Sequence, residues 1–239
     1  MPSIRRAART LARRLRSLRA GSPGPATALP GKPAAPAPRV AWVYPPGNGD
    51  RRVAVFRDLL GLFPPGRLLD LACGHGLFSI AAQEMGWQVT GVDARTERMP
   101  MTPGIEWIQH DVRGYDVSGF DVIALLGLLY HLELADQLDL LRRCSRTVTI
   151  LDTHHSEHPT HLEGEYAGHT FTEVAEGTQE RLSETATAAW GNLTSFWATQ
   201  PDLVRMLQDC GFGTVLALVP PNTRDRTFYL CLPAGRSLG

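Results

Sequence analysis

The sequence lacks a long apolar run. Its longest near-continuous one, from Val122 to Tyr130, falls far short of the roughly 20 residues that cross a bilayer. Cysteine is also scarce, because the 239 residues include only four and no two of them form a CxxC pair. With no segment resembling a signal peptide, these absences predict a cytoplasmic protein with no transmembrane segment and no disulfide framework. The cysteines are Cys73, Cys144, Cys210 and Cys231.

Acidic residues are absent from the first 39 positions, which hold nine of the 24 lysines and arginines. The other 15 basic residues are outnumbered by 24 acidic ones, so residues 40–239 carry a net charge of about −9 at pH 7. Binding to nucleic acid draws heavily on the neutralisation of phosphates. The acidic body therefore disfavours a nucleic-acid partner. Only the basic tail could supply the positive charge that such a partner needs.

The basic tail, residues 1–39, is predicted to lie outside the folded domain, which is assigned to residues 40–239. Ile4, Leu11 and Leu18 share a helical spacing with arginines on the other faces, which predicts a basic amphipathic helix. Residues 21–38 are rich in Pro, Ala and Gly, as in a linker. Three interpretations fit the tail: a solvated extension, an attachment to an anionic membrane or to RNA, and an organelle transit peptide.

Between residues 53 and 232, segments with strand character alternate with segments of helical periodicity. This alternation predicts right-handed βαβ crossovers and a parallel sheet with helices on both faces. The predicted strands are 67–72, 88–92, 105–110, 120–126, 147–151, 215–219 and 228–232, and the predicted helices are 53–63, 76–85, 133–144 and 201–210. The fold class is therefore α/β: a Rossmann-like, doubly wound, mostly parallel seven-stranded sheet with an antiparallel last strand.

The strongest functional signal lies at the first strand-to-helix turn, where residues 68–76 read LLDLACGHG. Glycines in such a turn let a ligand approach the backbone, and Asp70 at the strand's end can hold a cation or an ammonium group. Asp93 ends the second strand, where a carboxylate can accept both hydroxyls of a ribose. Asp111 ends the third strand. The three acids are therefore expected to converge on one crevice, and such an acidic lining disfavours NAD.

These motifs and their surroundings resemble those of the class I S-adenosylmethionine (SAM)-dependent methyltransferases, over nearly all of residues 53–232. The segments DLACGHG, VTGVDA, IQHDV and FDVIALLGLLYHL are similar to successive motifs of that family, in order and in spacing. Ala72 departs from the pattern, because the family commonly has its first glycine there. The resemblance implies methyltransferase activity with SAM as the cofactor.

The resemblance also implies a role for each motif. Asp70 and the turn of residues 72–76 hold the methionine part of SAM, and Asp93 holds the ribose. The residues at the third strand's end flank the adenine, and those after the fourth lie beside the sulfonium. The implied cofactor-binding set is Asp70, Ala72, Cys73, Gly74, Gly76, Asp93, Ala94, Asp111, Val112, Leu126 and Tyr130.

The segment GLLYHL is similar to the branch that contains tRNA wobble-uridine alkyltransferases and small-molecule O-methyltransferases of bacterial secondary and sugar metabolism. The tRNA enzymes continue after this segment with basic residues, whereas this chain has Leu132 and Glu133. A small-molecule acceptor methylated on oxygen or nitrogen, such as a sugar or a secondary metabolite, is therefore predicted. Two alternatives stay open: an RNA-modifying SAM-dependent alkyltransferase and a non-catalytic SAM-binding protein. The oligomeric state is left open.

The acceptor site is expected above the carboxyl ends of the strands, in residues 152–198 and around Trp42 and Tyr44. Five of the eight histidines lie between residues 152 and 169, with several acids among them. This histidine cluster fits a solvent-facing polar loop, a metal-assisted acceptor site, or direct acid–base and substrate-binding roles. Its spacing matches no metal-ligand motif, so no metal is assigned.

Three histidines are candidates for the base that takes the acceptor's proton. His154 and His155 come first, because they follow the end of a predicted central strand and should overhang the crevice. His131 follows Tyr130, although a purely structural role fits it equally well. Trp197 fits either the core or a platform for the substrate.

Overall fold

The structure, a computed structural model, describes residues 40–41, 51–174, 182, 188–219 and 226–237. The predicted basic tail and the candidate substrate residues Trp42 and Tyr44 lie outside the described residues. The domain boundary near residue 39 therefore stays a prediction.

The described residues form α/β layers around one large sheet. Helices α1 to α4 span Arg51–Leu60, Leu77–Glu84, Leu134–Cys144 and Gln200–Asp209. The large sheet contains β1 (Val40–Ala41), β2 (Arg67–Leu71), β3 (Gln88–Asp93), β4 (Glu106–Gln109), β5 (Val122–Leu126), β6 (Val148–His154), β10 (Phe212–Val219) and β11 (Arg226–Pro233). Short 3₁₀ helices follow β3 at Thr96–Arg98 and β5 at Leu129–His131. None of the described helices has the length and apolar character that a membrane crossing requires.

The order of strands in the large sheet is β1-β10-β11-β6-β5-β2-β3-β4. All neighbours pair in parallel except β11, which is antiparallel to both β10 and β6. The predicted Rossmann-like sheet of seven strands with an antiparallel last strand is confirmed, and the two-residue β1 adds an eighth strand at one edge. The chain reverses its direction of travel across the sheet between β2 and β5, which is where ligands bind in folds of this kind.

Apolar side chains of alternate strand residues build a core on each face of the sheet. In β2, Leu69 and Leu71 pack on one face, while Leu68 packs on the other. The face of Leu69 is covered by α3 and α4, through residues such as Leu140 and Met206. The opposite face is covered by α1 and α2. Helices on both faces explain why β5 is buried at every position and reads as a continuous apolar run.

Strand β6 is longer than its apolar sequence indicates. The sequence predicts a strand that ends at Leu151, but β6 continues to His154 because β11 pairs with it as far as the partners Arg226 and His154. His154 is thus the last residue of a strand, and His155 directly follows it.

A second, antiparallel sheet occupies much of the region that the sequence leaves without elements. It consists of β7 (His161–Glu163), β8 (Tyr166–Thr172) and β9 (Thr194–Ala198), in that order. Phe196 of β9 is fully buried in the core, and its N–H donates to the carbonyl of Leu132 at 3.0 Å. This contact anchors the small sheet beside the end of β5 and brings residues 188–198 close to the site.

Candidate active site

A cleft opens at the carboxyl ends of the central parallel strands. Its lining includes seven residues that the sequence predicts for the site: Ala72, Gly74, Asp93, Ala94, Asp111, Val112 and His131. The lining is completed by residues for which the sequence gives no role: Arg95, Arg98, Gly127, Leu128, Leu132, Ala188, Ala189 and Trp190. Three strand ends therefore meet at this cleft, but of the three acids expected there only Asp93 and Asp111 line it, and Asp70 does not.

The turn after β2 uses left-handed backbone at three positions. Ala72, Gly74 and Gly76 have φ values of 58°, 52° and 68°. A Cβ on Gly76 would lie 2.5 Å from the ring of Trp107, so only glycine fits there. A Cβ on Gly74 would meet nothing within 4 Å, so this backbone is open to the approach of a ligand. Ala72 keeps the same left-handed conformation without glycine's freedom, which is a local strain at the position where the family commonly has glycine.

Asp93 connects the ends of two strands through its side chain. Its carboxylate accepts the N–H of Gly74 at 2.8 Å and the N–H of Arg95 at 2.9 Å. The residue is 8% exposed and lines the cleft. The predicted ribose carboxylate thus also holds the open part of the turn, and each oxygen has a further lone pair for a ligand hydroxyl.

Asp70 lies behind the turn. It is 1% exposed, and its carboxyl accepts the hydroxyl of Ser79 at 2.6 Å. Burial raises the pKa of Asp70 to about 7, and the charge of Asp93 adds to the rise, while the hydrogen bond from Ser79 opposes it. Cys73 is buried nearby, and burial raises the pKa of its thiol far above the usual value.

The raised pKa of Asp70 makes the stability of the protein depend on pH. A carboxyl with a raised pKa stabilises the folded state below its unfolded value of 3.8, and this contribution is lost as the pH rises towards about 7. The shift corresponds to roughly 4 kcal/mol. We expect Asp70→Asn to gain stability over the parent progressively from pH 4 to pH 8, as measured by urea unfolding at each pH. A constant difference across this range would contradict the assignment.

Asp111 is held by a neighbour on its own loop. The guanidinium of Arg113 donates to both oxygens of Asp111, with a shortest distance of 2.6 Å. Burial alone would raise the pKa of Asp111, but the hydrogen bonds and charge of Arg113 hold it below its usual value. The predicted adenine residue is therefore already in an ion pair at the edge of the cleft.

His131, which lines the cleft, forms a second polar pair with Glu173. The Nδ1 atom of His131 lies 3.3 Å from the Glu173 carboxylate, whose side chain is 2% exposed. Burial would raise the pKa of Glu173, but hydrogen bonds with His131 and with the N–H of Ala189 keep it below its usual value. The Nδ1 atom of His131 is thus beside a buried, ionised carboxylate, and the residue itself lines the cleft.

His154, Tyr130 and Trp197 form an aromatic cluster that is not part of the described cleft lining. The imidazole of His154 stacks on Trp197 with ring centroids 5.1 Å apart, and Tyr130 contacts both rings edge-on. His155 points elsewhere, since its Nε2 is 3.0 Å from the hydroxyl of the buried Tyr229. The roles predicted for these residues stay predictions.

A buried ion-pair cluster lies at the end of β6, beside Leu126. Asp152 is fully buried and binds Arg52 at 2.6 Å and Arg226 at 3.4 Å. Arg226 also donates to the hydroxyl of Tyr130 at 2.8 Å. These contacts tie α1, β6 and β11 together. Leu126 itself is 6% exposed and belongs to the core on the α1 side of the sheet.

Within the described ranges, no group of three or more His, Cys, Asp or Glu side chains is arranged to hold a metal ion. Two members of the histidine cluster, His161 and His169, hydrogen-bond to Thr160 at 3.0 and 3.2 Å. These contacts lie on the second sheet.

The family model described as "Methyltransferase domain" matches residues 48–215, which is more than half of the chain. The chain belongs to the class I SAM-dependent methyltransferases. The predicted family is confirmed. The cleft of this methyltransferase lies at the carboxyl ends of the central strands, which is where folds of this kind bind ligands.

Solved structures show the same fold in other methyltransferases. The N-terminal domain of EvdMO1, crystallised with S-adenosylhomocysteine (SAH) and D-fucose, aligns with a TM-score of 0.61 at 18% identity, over 99% of this chain and 100% of that one. The 1,6-didemethyltoxoflavin-N1-methyltransferase of Burkholderia thailandensis aligns with a TM-score of 0.54 at 17% identity, over 77% of this chain and 76% of that one.

One curated relative is also similar in sequence. YqeM of Bacillus subtilis (strain 168) is 40% identical over an alignment of 63 residues, and the match covers 23% of this chain. The match spans only 25% of that relative's length. The acceptor of this methyltransferase therefore has to be inferred from its own residues.

Proposed function

We propose that this protein transfers the methyl group of SAM to a hydroxyl or nitrogen of a small molecule. The observation that carries the proposal is the cleft, whose lining combines Gly74 and Asp93 with His131, the partner of Glu173. Gly74 and Asp93 offer open backbone and a ribose-binding carboxylate, and His131 offers a base. Bound SAM supplies a methyl group already activated by a sulfonium, so the protein needs to provide orientation and one proton acceptor.

The residues of the cleft fit the nucleoside part of SAM. Asp93 can accept the ribose hydroxyls, and the open position at Gly74 admits the ligand to the backbone. Asp70, buried behind the turn with a pKa near neutrality, can become ionised when a cationic group lies nearby. We include the turn that begins at Ala72 in this cofactor site, although Ala72 itself departs from the family pattern.

His131 is the histidine best placed to take the proton of the acceptor. It lines the cleft, and the buried carboxylate of Glu173 stabilises the imidazolium that forms when Nε2 is protonated. His154 and His155, which the sequence favours, lie in the aromatic cluster and against Tyr229. They are the alternatives against which His131 is tested.

A small-molecule acceptor is supported by charge and by the neighbours of the fold. The body of the chain carries about −9, which opposes the approach of a polyanion. The two structural neighbours were crystallised with D-fucose and with 1,6-didemethyltoxoflavin, both small molecules. We extend this acceptor class to the present chain as part of the proposal.

The proposal is tested by binding and transfer with the full-length chain. We expect SAH to bind in calorimetry, and the label of methyl-tritiated SAM to appear in the small-molecule fraction of a bacterial extract. Asp93→Ala should bind SAH about one hundredfold more weakly, because two charge-assisted hydrogen bonds are lost. Asp121→Ala, which changes a carboxylate at the opposite end of β5, is the matched control.

Each arm of this experiment can contradict the proposal. Unchanged SAH affinity in Asp93→Ala would remove the ribose assignment. Label found in tRNA rather than in small molecules would favour an RNA-modifying enzyme, and SAH binding without any transfer would favour a non-catalytic protein.

A further inference from the structure

A short strap, defined as residues 188–190, closes one side of the cleft. It lies between β8 and β9, far in sequence from the motifs of the first three strands. Ala188, Ala189 and Trp190 nevertheless line the same cleft as Asp93 and Asp111. The strap thus contributes residues to the cleft that do not belong to the family motifs at the strand ends.

Arg95 holds the strap from the ribose side. Its guanidinium donates to the carbonyls of Ala188 at 3.2 Å and Ala189 at 3.3 Å, and the residue is only 6% exposed. The N–H of Arg95 donates to Asp93. One residue therefore joins the strap to the carboxylate assigned to the ribose.

Arg113 and Glu173 hold the strap from two other directions. Arg113, paired with Asp111, donates to the carbonyl of Trp190 at 2.9 Å. Glu173 accepts the N–H of Ala189 at 2.9 Å. The backbone of the strap is thus fixed at each of its three residues, which is the rigidity expected of a binding wall.

Trp190 is the exception in this well-anchored segment, because its side chain is not packed away. The residue is 48% exposed, and the guanidinium of Arg95 lies over one face of its ring, 5.6 Å from the centroid. The aromatic ring is therefore held by its backbone and by this cation–π contact, and it lines the same cleft as Asp93, the carboxylate assigned to the ribose. Flat aromatic side chains in such positions bind nucleobases by stacking.

We propose that Trp190 is the stacking surface for the adenine ring of the cofactor. The inference rests on the proposed function, because it takes SAM as the ligand of the cleft. In this arrangement Asp111 contributes mainly by holding Arg113, and through it the strap. The purine is bound by a residue outside the motifs of the strand ends.

Calorimetry with SAH and with adenosine, on the full-length chain, tests the assignment. We expect Trp190→Ala to weaken the binding of both ligands by about five- to one-hundredfold, because both contain the adenine ring. Trp190→Phe should bind within a few-fold of the parent. Phe171→Ala is the matched control, since Phe171 is an exposed aromatic residue (39%) on β8 that does not line the cleft.

The outcomes separate the two proposals. If the parent protein fails to bind SAH, the proposed function fails. If the parent binds SAH and Trp190→Ala binds it equally well, the stacking assignment is overturned while the proposed function stands. A loss of SAH affinity with unchanged adenosine affinity would also overturn it, because Trp190 would then contact the amino-acid half. Thermal melts of the ligand-free variants check that all of them are folded.

Discussion

Replacement of His131 by alanine is expected to lower the rate of methyl transfer by about one hundred- to ten-thousandfold, the usual range for a lost general base. Binding of SAH should change little, because the hydrogen bond of His131 is made with Glu173 in the wall of the cleft. Single-turnover transfer of label to the purified acceptor measures the rate, and calorimetry measures the affinity.

Four further variants make this result specific. Glu173→Gln keeps the shape of the side chain but removes the charge beside Nδ1, so its rate should fall less than that of His131→Ala. His158→Ala is the control, because His158 is an exposed member of the histidine cluster. If His154→Ala or His155→Ala loses the rate while His131→Ala retains it, the base is the one that the sequence favours.

Replacement of Asp152 by alanine is expected to destabilise the protein by about 3–5 kcal/mol. Its carboxylate is fully buried and binds Arg52 and Arg226, whose side chains are 25% and 18% exposed. Removing the carboxylate leaves two poorly solvated cations close together at the end of β6. Urea unfolding at neutral pH measures the loss.

An exposed pair of the same chemistry provides the comparison. Asp139 binds Arg143 at 2.8 Å across one turn of α3, with 63% of the aspartate side chain exposed. Asp139→Ala should cost no more than about 1 kcal/mol, because water screens a surface ion pair. Equal losses in the two variants would show that the burial of Asp152 adds nothing to the stability of the fold.

The large sheet could be predicted because its signals are local. Most of its strands are apolar runs next to a turn, and the acids predicted for the site lie at or near the ends of strands. Asp93 needs no long-range information to be placed, since the end of β3 fixes its position. The observed strand limits differ from the predicted ones by a few residues. The total difference is largest at β6, where the polar residues 152–154 give no apolar signal although they pair with β11.

The second sheet could not be predicted for the opposite reason. Strand β7 has three residues, and β8 pairs with β9 across an intervening segment of about 20 residues. Gly164 and Gly168 interrupt any alternation of apolar and polar residues. Sequence reasoning also missed Arg95 and Glu173, whose partners, Ala188, Ala189 and His131, are distant in sequence. Only the closing of long loops brings them together.

The single carboxylate of Glu173 contacts two residues that line the cleft. One of its oxygens accepts the N–H of Ala189 and lies 3.3 Å from Nδ1 of His131. A protein engineer who varies the lining of the cleft therefore cannot treat the imidazole and the strap as separate modules. Residues 131, 173 and 189 form one design unit, so libraries that vary them jointly sample combinations that one-at-a-time substitution misses.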